Sequence, residues 1–260
     1  MKVKDIAEIL EEFAPLSWQE EWDNSGLQVG DPQAEVNGIL LTLDVTDSSM
    51  DAAINSGADM IISHHPLLFS PVKSVTPATA AGDIIIRALK AGISIYSCHT
   101  SIDNAPGGVN YRLARKIGLK DICILQPLPE GNAGMGCTGT LPEPMEKEKF
   151  LALLKEKFDL KVIRTNNSTA ETIRTVAVCG GAGFSLLDKA ISRGADTFIT
   201  GDLKYHNFGE APRGMLLADI GHFESEVQIL KLFYELITEK FPKFAVLTEC
   251  ADSNHVNYYL

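Results

Sequence analysis

Short apolar runs alternate with amphipathic stretches along most of the chain. Near the start, Ile6, Ile9, Leu10 and Phe13 share one helical face, and Asp5 is the predicted N-cap. Further along, the apolar runs predict strands and the periodic stretches between them predict helices. The predicted strands are 38–44, 60–63, 93–98, 176–178, 197–200, 215–218 and 244–247, and the further helices are 48–56, 79–91, 109–117, 145–158, 185–193 and 223–240. This alternation is typical of an α/β fold with parallel strands covered by helices.

Two stretches interrupt the alternation. Residues 22–31 (WDNSGLQVGD) are predicted to form a loop, in which a buried Trp22 and a turn fixed by its neighbours are favoured over an exposed cleft wall. Residues 126–145 are rich in proline and glycine and are the predicted domain boundary. We therefore predict a first α/β domain over 1–125 and a second over 126–260, with residues 223–260 able to pack back on the first.

The second half of the chain repeats the first. Residues 49–59 can be laid over 186–196 at a constant offset, and the two segments share Asp, Ala, Ile, Gly, Ala and Asp. The next predicted strand of each half then ends in a histidine followed four positions later by an acid, His99 and Asp103 in one half, His222 and Glu226 in the other. This pattern predicts an internal duplication of α/β domains.

Composition narrows the class of protein. The 260 residues are 45% hydrophobic and 22% charged, which is typical of a globular chain. The net charge of -11 argues against nucleic acid as a partner, because phosphate binding needs basic patches. No apolar run approaches the roughly 20 residues of a membrane helix, and the start of the chain is no signal peptide. Five dispersed cysteines indicate reduced thiols, so we expect a cytoplasmic protein.

Three clusters of histidines and acids follow predicted buried strands. Ser63-His64-His65-Pro66 follows the strand at 60–63, residues 98–103 follow the strand at 93–98, and His222 to Glu226 lie just beyond the strand at 215–218. The carboxyl ends of strands are where open α/β sheets bind ligands. Neutral imidazoles and carboxylates are ligands for zinc, manganese and iron. Each cluster taken alone favours a structural or solvent-facing role, but together the three clusters predict a metal site.

The number of donors indicates two metal ions. The five predicted ligands are His64, His65, Asp103, His222 and Glu226. Five is more than an open catalytic zinc site takes from protein, whereas it suits two divalent ions that share a carboxylate. We therefore predict two divalent ions per chain, either Zn, Fe or Mn. For His99 three roles stay open, namely a sixth ligand, a proton carrier or an outer partner of a ligand; we take the proton carrier as the prediction.

Other candidates are less specific. Gly180-Gly181-Ala182-Gly183 lies between a predicted strand and helix, so it is either a phosphate-binding turn or a tight connection without a ligand. Asp202 either faces the same cleft as an acid or caps the next turn. Gly180, Gly181 and Asp202 are therefore the predicted substrate-binding residues. His206 and His255 have no such context, and we assign them to surface or packing.

The chain resembles a known family in these motifs and in their order. WDNSGLQVGD, SHHP, residues 99–103 followed by GGVN, GGAG, TGD and GHFESE are similar to the NIF-three-like family, whose members are named GTP cyclohydrolase 1 type 2 homologues. The resemblance implies two interlocked α/β domains, a metal cleft between them, a dinuclear centre and a toroidal homohexamer. It also implies the same five ligands. The stretch 126–145 is too short for the middle domain of longer members, so this chain is a short form.

These expectations lead to two classes of function. The first is a metal-dependent hydrolase that acts on a nucleotide-like or phosphate-containing small molecule. The second is a non-catalytic metal-binding oligomer that buffers or delivers metal, or that serves as a protein scaffold. The sequence identifies no GTP-specific pocket, and it leaves the small-molecule ligand open.

Overall fold

The computed structural model describes residues 1–129, 131–248 and 254–259. Helices and strands alternate along the described chain, and three short 3-10 helices lie between them, at Leu16–Trp18, Phe184–Leu186 and Tyr205–Gly209. In chain order the elements are α1 (Val3–Phe13), β1 (Gly26–Val29), β2 (Gly38–Thr42), α2 (Asp47–Ser56), β3 (Met60–Ser63), α3 (Ala80–Ala91), β4 (Ser94–Ser97), α4 (Thr100–Asn104), α5 (Val109–Ile117), β5 (Lys120–Pro127), β6 (Gly134–Glu146), α6 (Lys147–Phe158), β7 (Arg164–Thr165), β8 (Thr172–Val178), α7 (Leu187–Ser192), β9 (Thr197–Thr200), β10 (Leu216–Asp219), α8 (His222–Glu226), α9 (Ile229–Lys240) and β11 (Ala245–Thr248).

The chain divides into two compact units. Unit 1 comprises Met1–Ile102 and Ile229–Tyr259, and unit 2 comprises Asp103–Gln228. This division differs from the predicted one at the start of the second domain, which was expected at residue 126. Residues 103–125 group with unit 2, since β5 pairs with β6. The C-terminal segment groups with unit 1, because β11 pairs in parallel with β2.

Unit 1 is built on a five-stranded sheet in the order β1-β4-β3-β2-β11. The strands β11, β2, β3 and β4 run parallel, and the register aligns Thr42 with Ser63 and Ser63 with Ser97. Their carboxyl ends therefore lie at one edge of the sheet. The predicted loop at 22–31 is partly wrong, because it contains β1, which pairs antiparallel with β4. Pairing with a neighbouring strand, which local sequence does not reveal, decided this segment.

Unit 2 is built on a six-stranded sheet in the order β5-β6-β8-β9-β10-β7, with β8, β9 and β10 parallel. The predicted boundary at 126–145 is instead mostly the long strand β6. Its prolines are tolerated because Pro142 and Pro144 fall between Thr140 and Met145, where the pairing register with β8 shifts. The apolar segment before this stretch forms β5, which lies at one edge of the sheet.

Both units contain the same strand–helix–strand arrangement, β2-α2-β3 in unit 1 and β8-α7-β9 in unit 2. The α/β class and the internal duplication are thereby confirmed. Two helix predictions need correction. The helix expected at 223–240 is divided into α8 and α9, and α1 begins after Lys2, whose backbone N–H donates to the Asp5 carboxylate at 2.9 Å. Within the described residues, none of the helices has the length and apolar character needed to cross a bilayer.

Candidate metal centre

Parallel strand ends position the histidines of unit 1. The ladder continues past β3, because the N–H groups of His64 and His65 donate to Thr42 and Leu43 of the neighbouring strand at 3.2 and 2.9 Å. The hydroxyls of Ser63 and Ser97 lie 2.8 Å apart and connect the ends of β3 and β4. These contacts fix the backbone from which the histidine rings project.

His64, His65 and His99 form a compact group, which we call the three-histidine set. One ring nitrogen from each residue lies within 4.8 Å of the nitrogens of the other two. The ring centroids are 4.9 to 5.4 Å apart. His64 is fully buried, and the side chains of the other two are 12% and 10% exposed. The set is therefore shielded from bulk water on most sides.

Each ring of the set has an oxygen partner at Nδ1. His64 Nδ1 lies 3.0 Å from the carbonyl oxygen of Cys98, His65 Nδ1 lies 2.8 Å from Asp44 Oδ1, and His99 Nδ1 lies 2.8 Å from Asp23 Oδ1. These oxygens only accept, so we infer that each Nδ1 carries the proton and donates. Each Nε2 then keeps the lone pair that coordinates a metal, which is the usual outer-shell arrangement of a metal-binding histidine.

Asp23 is a member of the site that the sequence analysis missed. Its side chain is fully buried, and it accepts hydrogen bonds from the backbone of Asn24 and Thr100 and from the hydroxyls of Ser25 and Thr100 at 2.5–3.0 Å. Burial alone would raise the pKa of this carboxyl, but the hydrogen bond and charge of His99, together with the other donors, hold the pKa well below its usual range. Asp23 is therefore an ionised partner for His99. Its only sequence signal was its place in the loop 22–31.

Asp44 performs the same task for His65 and was also missed. It follows β2, so three neighbouring parallel strands of unit 1, β2, β3 and β4, each lead into a residue of the site. Burial again opposes ionisation of Asp44, whereas the hydrogen bond and charge of His65 lower the pKa of the carboxyl below its ordinary value. The strand-end rule that selected His64 and His99 could have found this acid, had it been applied to β2.

Unit 2 holds a second group, which we call the His222 set: His222, Glu226 and Asp202. His222 Nδ1 lies 2.7 Å from Asp202 Oδ2, and its Nε2 lies 3.0 Å from Glu226 Oε2. The ring is thus flanked by two carboxylates. With one proton on the ring, only one of the two carboxylates receives a hydrogen bond. The other ring nitrogen can carry a second proton or bind a metal ion. Glu226 is 3% exposed, whereas the side chain of Asp202 is 58% exposed.

Glycines make room for the His222 set. A Cβ at Gly181, whose φ is +60°, would lie 2.3 Å from Glu226 Oε1. A Cβ at Gly201 would lie 2.8 Å from the backbone nitrogen of His222. The next residue, Asp202, has a φ of 53°, a conformation that aspartate tolerates better than most residues. The GGAG and TGD turns therefore shape the space around the acid and the histidine.

The GGAG turn uses its own N–H groups inside unit 2. Gly180 donates to Asn110 Oδ1, Gly181 to Ser225 Oγ and Gly183 to Thr200 Oγ1, at 2.8–2.9 Å. These bonds account for the tight connection that was one of the two predicted roles. A contact of Gly180 or Gly181 with substrate stays a prediction.

The remaining candidates are placed as follows. Asp103 lies in α4 and is 9% exposed, and its backbone carbonyl accepts from Asn110 Nδ2 at 3.0 Å. The predicted burial of Trp22 is wrong, because this side chain is 61% exposed and its ring centroid lies 5.9 Å from that of His99. His206 is an exposed neighbour of Tyr205. His255 is exposed, and its Nε2 lies 3.8 Å from Asp44 Oδ1.

The motifs that build these two sets are also found in known proteins. The family model Duf34/NIF3 (NGG1p interacting factor 3) matches residues 1–255. This chain belongs to the Duf34/NIF3 family. Among its relatives, a Clostridium perfringens protein named GTP cyclohydrolase 1 type 2 homolog is 35% identical over 257 residues, which covers 97% of this chain and 98% of the relative. A protein with the same name from Clostridium acetobutylicum is 35% identical and covers 87% and 85% of the two chains.

A solved structure supports the same assignment of fold. The Bacillus cereus protein related to NIF3 superposes with a TM-score of 0.91 at 25% identity, covering 100% of this chain and 99% of the other. The predicted family resemblance is thereby confirmed over the whole length. For this NIF3-family chain, the histidine, aspartate and glutamate groups of the two units have the donor chemistry to hold metal ions such as Zn, Fe or Mn.

Proposed function

We propose that this protein is a metal-dependent hydrolase with two divalent ions per chain. The observation that carries the proposal is the uniform arrangement of the three-histidine set. All three rings direct Nδ1 to an oxygen acceptor, and their ligand nitrogens lie within 4.8 Å of one another. Histidines that serve only packing have no need of three converging lone pairs, whereas a metal site does.

The proposed ligands are His64, His65, Asp103, His222 and Glu226. The imidazoles supply neutral nitrogen donors, and the two carboxylates supply charge and bridging capacity. Asp202 acts in the proposal by holding His222 through Nδ1, at 2.7 Å. Gly180 and Gly181 act by admitting Glu226 close to the backbone, and a substrate contact at this turn or at Asp202 is part of the proposal. Zn, Fe and Mn all suit these donors.

When bound, a pair of divalent ions polarises a substrate oxygen and acidifies a water molecule. The protein's own contribution to proton transfer is assigned to His99. The buried carboxylate of Asp23 accepts from Nδ1 of this ring at 2.8 Å and fixes the tautomer and orientation that leave Nε2 available. Nε2 of His99 can therefore take up a proton and release it again. Because the same nitrogen can also bind a metal, the proposal needs a test that separates the two roles.

The proposed substrate is a nucleotide-like or phosphate-containing small molecule. The names of the relatives, GTP cyclohydrolase 1 type 2 homolog, support a nucleotide. A toroidal homohexamer is part of the proposal and rests on the family resemblance. Light scattering should then give about six times the 28.2 kDa of one chain.

The decisive experiment measures metal content and turnover on the same preparations. Wild type should carry close to two ions per chain by plasma mass spectrometry, and it should hydrolyse at least one member of a nucleotide and phosphoester panel. His99→Ala should lower turnover by about 10²–10⁴-fold while metal content stays near two. His206→Ala, which removes an exposed histidine outside both sets, is the control and should change neither quantity.

Two results would contradict the proposal. Loss of metal in proportion to loss of turnover in His99→Ala would make His99 a ligand rather than a proton carrier. No turnover on the whole panel, with two ions bound and ready transfer of metal to an acceptor, would instead identify a non-catalytic metal-binding protein.

A further inference from the structure

One buried side chain of unit 2 connects the segments that carry two of the proposed ligands. Asn110, the last residue of the GGVN motif, is the second residue of α5 and is 1% exposed. Its Nδ2 donates to the backbone carbonyl of Asp103 at 3.0 Å. Its Oδ1 accepts from the N–H of Gly180 at 2.9 Å. A single amide group thus links α4 to the GGAG turn.

The amide of Asn110 has one orientation that suits these two partners. The carbonyl of Asp103 can only accept, and the N–H of Gly180 can only donate. An exchange of Oδ1 and Nδ2 would therefore place oxygen against oxygen and N–H against N–H. The sulfur of Met135, 3.8 Å from Nδ2, is a further weak acceptor. Because the side chain is shielded from water, breaking either backbone bond would leave a buried polar group without a partner, which is costly.

The GGAG turn extends this link to Glu226. A Cβ at Gly180 would lie 2.9 Å from Val109 Cγ1 and 3.3 Å from Glu226 Cγ, so the turn fills the space between the start of α5 and the acid. Gly181 comes closer still, since a Cβ there would lie 2.3 Å from Glu226 Oε1. A displacement of the turn would therefore displace Glu226 or leave a gap beside it.

The two acids at the ends of the link lie close together. One carboxylate oxygen of Asp103 is within 4.8 Å of one of Glu226, and the two residues are 9% and 3% exposed. Carboxylates at this distance repel each other when both are charged, and shielding from water strengthens the repulsion. A bound cation offsets the repulsion, but the metal-free protein needs other contacts to keep the acids together. The neutral amide of Asn110 supplies such a contact without adding charge.

We propose that Asn110 is a positioning residue for the metal centre, which fixes the separation of the Asp103 and Glu226 carboxylates before metal binds. The proposal rests on the proposed function only in taking these two acids as ligands. Ligands that are already in place raise metal affinity, because less ordering is needed at the moment of binding. Loss of an outer partner of metal ligands typically lowers metal affinity by about 10–100-fold.

The affinity of the full-length protein for Zn²⁺, measured by competition with a chelating indicator, tests this role. Asn110→Ala should lower that affinity by about 10–100-fold. Asn166→Ala is the matched control. The amide of Asn166 also links two backbone groups of unit 2, donating to the carbonyl of Met215 and accepting from the N–H of Leu217, both at 3.0 Å, but it holds β10 rather than a turn beside a ligand. Both variants should lower the urea midpoint of the metal-free protein, and only Asn110→Ala should lose Zn²⁺ affinity.

Two further variants separate positioning from a general loss of stability. Asn110→Ser keeps a small polar side chain at the start of α5, so it should fold, but its hydroxyl is too short to reach both backbone partners and Zn²⁺ affinity should fall. In an Asp103→Ala background, Asn110→Ala should cause a much smaller further loss, because one of the two carboxylates that it positions is absent. A side chain that acted only through stability would cause the same loss in both backgrounds.

Three results would overturn the role of Asn110. They are wild-type Zn²⁺ affinity in the folded Asn110 variants, an equal loss of affinity in Asn166→Ala, and an undiminished loss in the Asp103→Ala background. Turnover is measured on the same preparations. A wild type that binds Zn²⁺ and hydrolyses nothing, with affinity lost in Asn110→Ala and kept in Asn166→Ala, would reject the hydrolase and support the role of Asn110.

Discussion

The two units hold their histidines by different means. In unit 1, the three rings are held by a backbone carbonyl and two carboxylates, and one of these carboxylates, Asp23, is fully buried. In unit 2, the single ring of His222 is held by Asp202, which is 58% exposed. A buried hydrogen bond to a charged group is stronger than an exposed one, since water competes less for either partner. Unit 1 thus holds its histidine rings in a fixed arrangement through their side-chain partners. In unit 2, the position of His222 depends more on the backbone.

That dependence is visible in the turns. The histidines of unit 1 continue from regular parallel strands, whose register is set by the sheet. The His222 set instead needs Gly181, Gly201 and a left-handed Asp202 to bring its groups together. The three-histidine set is therefore positioned by the hydrogen-bond partners of its side chains, whereas the His222 set is positioned by close approach of the backbone. Three kinds of substitution test this difference, and we expect their effects on metal binding and stability to decrease in the order given. They remove metal ligands, add a methyl group at a glycine, or remove the charge of a histidine's partner.

The largest effect is expected from removing donors in pairs. His64→Ala with His65→Ala should leave less than one metal ion per chain, because this pair removes two of the three histidines among the proposed ligands. His222→Ala with Glu226→Ala should remove at least one ion. Turnover should fall by more than about 100-fold in both, since a loss of that size is already typical of an outer-shell change. Plasma mass spectrometry after dialysis measures the content.

Unchanged metal content in either double variant would remove its residues from the proposed ligand set. If the two double variants lost the same amount of metal, the view that unit 1 holds metal more firmly than unit 2 would be contradicted. His206→Ala is the control, because it removes an exposed histidine outside both sets.

An intermediate effect is expected from one methyl group in unit 2. Gly181→Ala places a Cβ 2.3 Å from Glu226 Oε1, so the acid must move and metal content should fall. Gly194→Ala is the matched control. Its φ of +67° is close to the +60° of Gly181, but a Cβ there meets nothing within 4 Å. In both variants the free energy of unfolding should fall by about 1–2 kcal/mol from backbone strain. In Gly181→Ala it should fall by about 1–3 kcal/mol more from the clash.

Urea unfolding of the chelator-treated proteins measures that difference. If the two alanine variants were equally stable and bound metal equally, the close approach of Gly181 to Glu226 would have no functional weight.

The same contrast explains what the sequence could predict. Histidines that follow apolar strands were recognisable, because strand ends and donor chemistry are local features. Asp23 carried no such local signal, since it lies 76 positions from His99 and their pairing depends on tertiary structure. Asp44 follows a strand and shared the local signal, but its pairing with His65, 21 positions further on, was again a matter of tertiary structure. The strands β1 and β6 were missed for a similar reason. Glycine and proline marked both segments as irregular, yet pairing with β4 and β8 made them strands.

The smallest effect is expected from removing the charge of a partner. Asp23→Asn keeps the size of the side chain but weakens its bonds to His99 and Thr100. Without metal, we expect it to lower the free energy of unfolding at pH 7 by about 1–3 kcal/mol, the range for buried hydrogen bonds to a charged group. Asp202→Asn, whose side chain is exposed, should change it by less than about 0.5 kcal/mol. An equal decrease in the free energy of unfolding in the two variants would contradict the distinction between a buried and an exposed partner.

The pH dependence of the Asp23→Asn effect supplies the sharpest test of that distinction. The pKa of the Asp23 carboxyl is lowered in the folded state, so folding favours the ionised form. Its contribution to stability is then fully present above the unfolded value of about 3.9 and is lost as pH falls from there toward the folded-state value. The stability difference between wild type and Asp23→Asn should therefore shrink as pH falls below about 4. Chemical unfolding with chelator at each pH measures it. A difference that stays constant down to pH 3 would mean that the bonds of Asp23 stabilise the loop through geometry and that its charge contributes nothing.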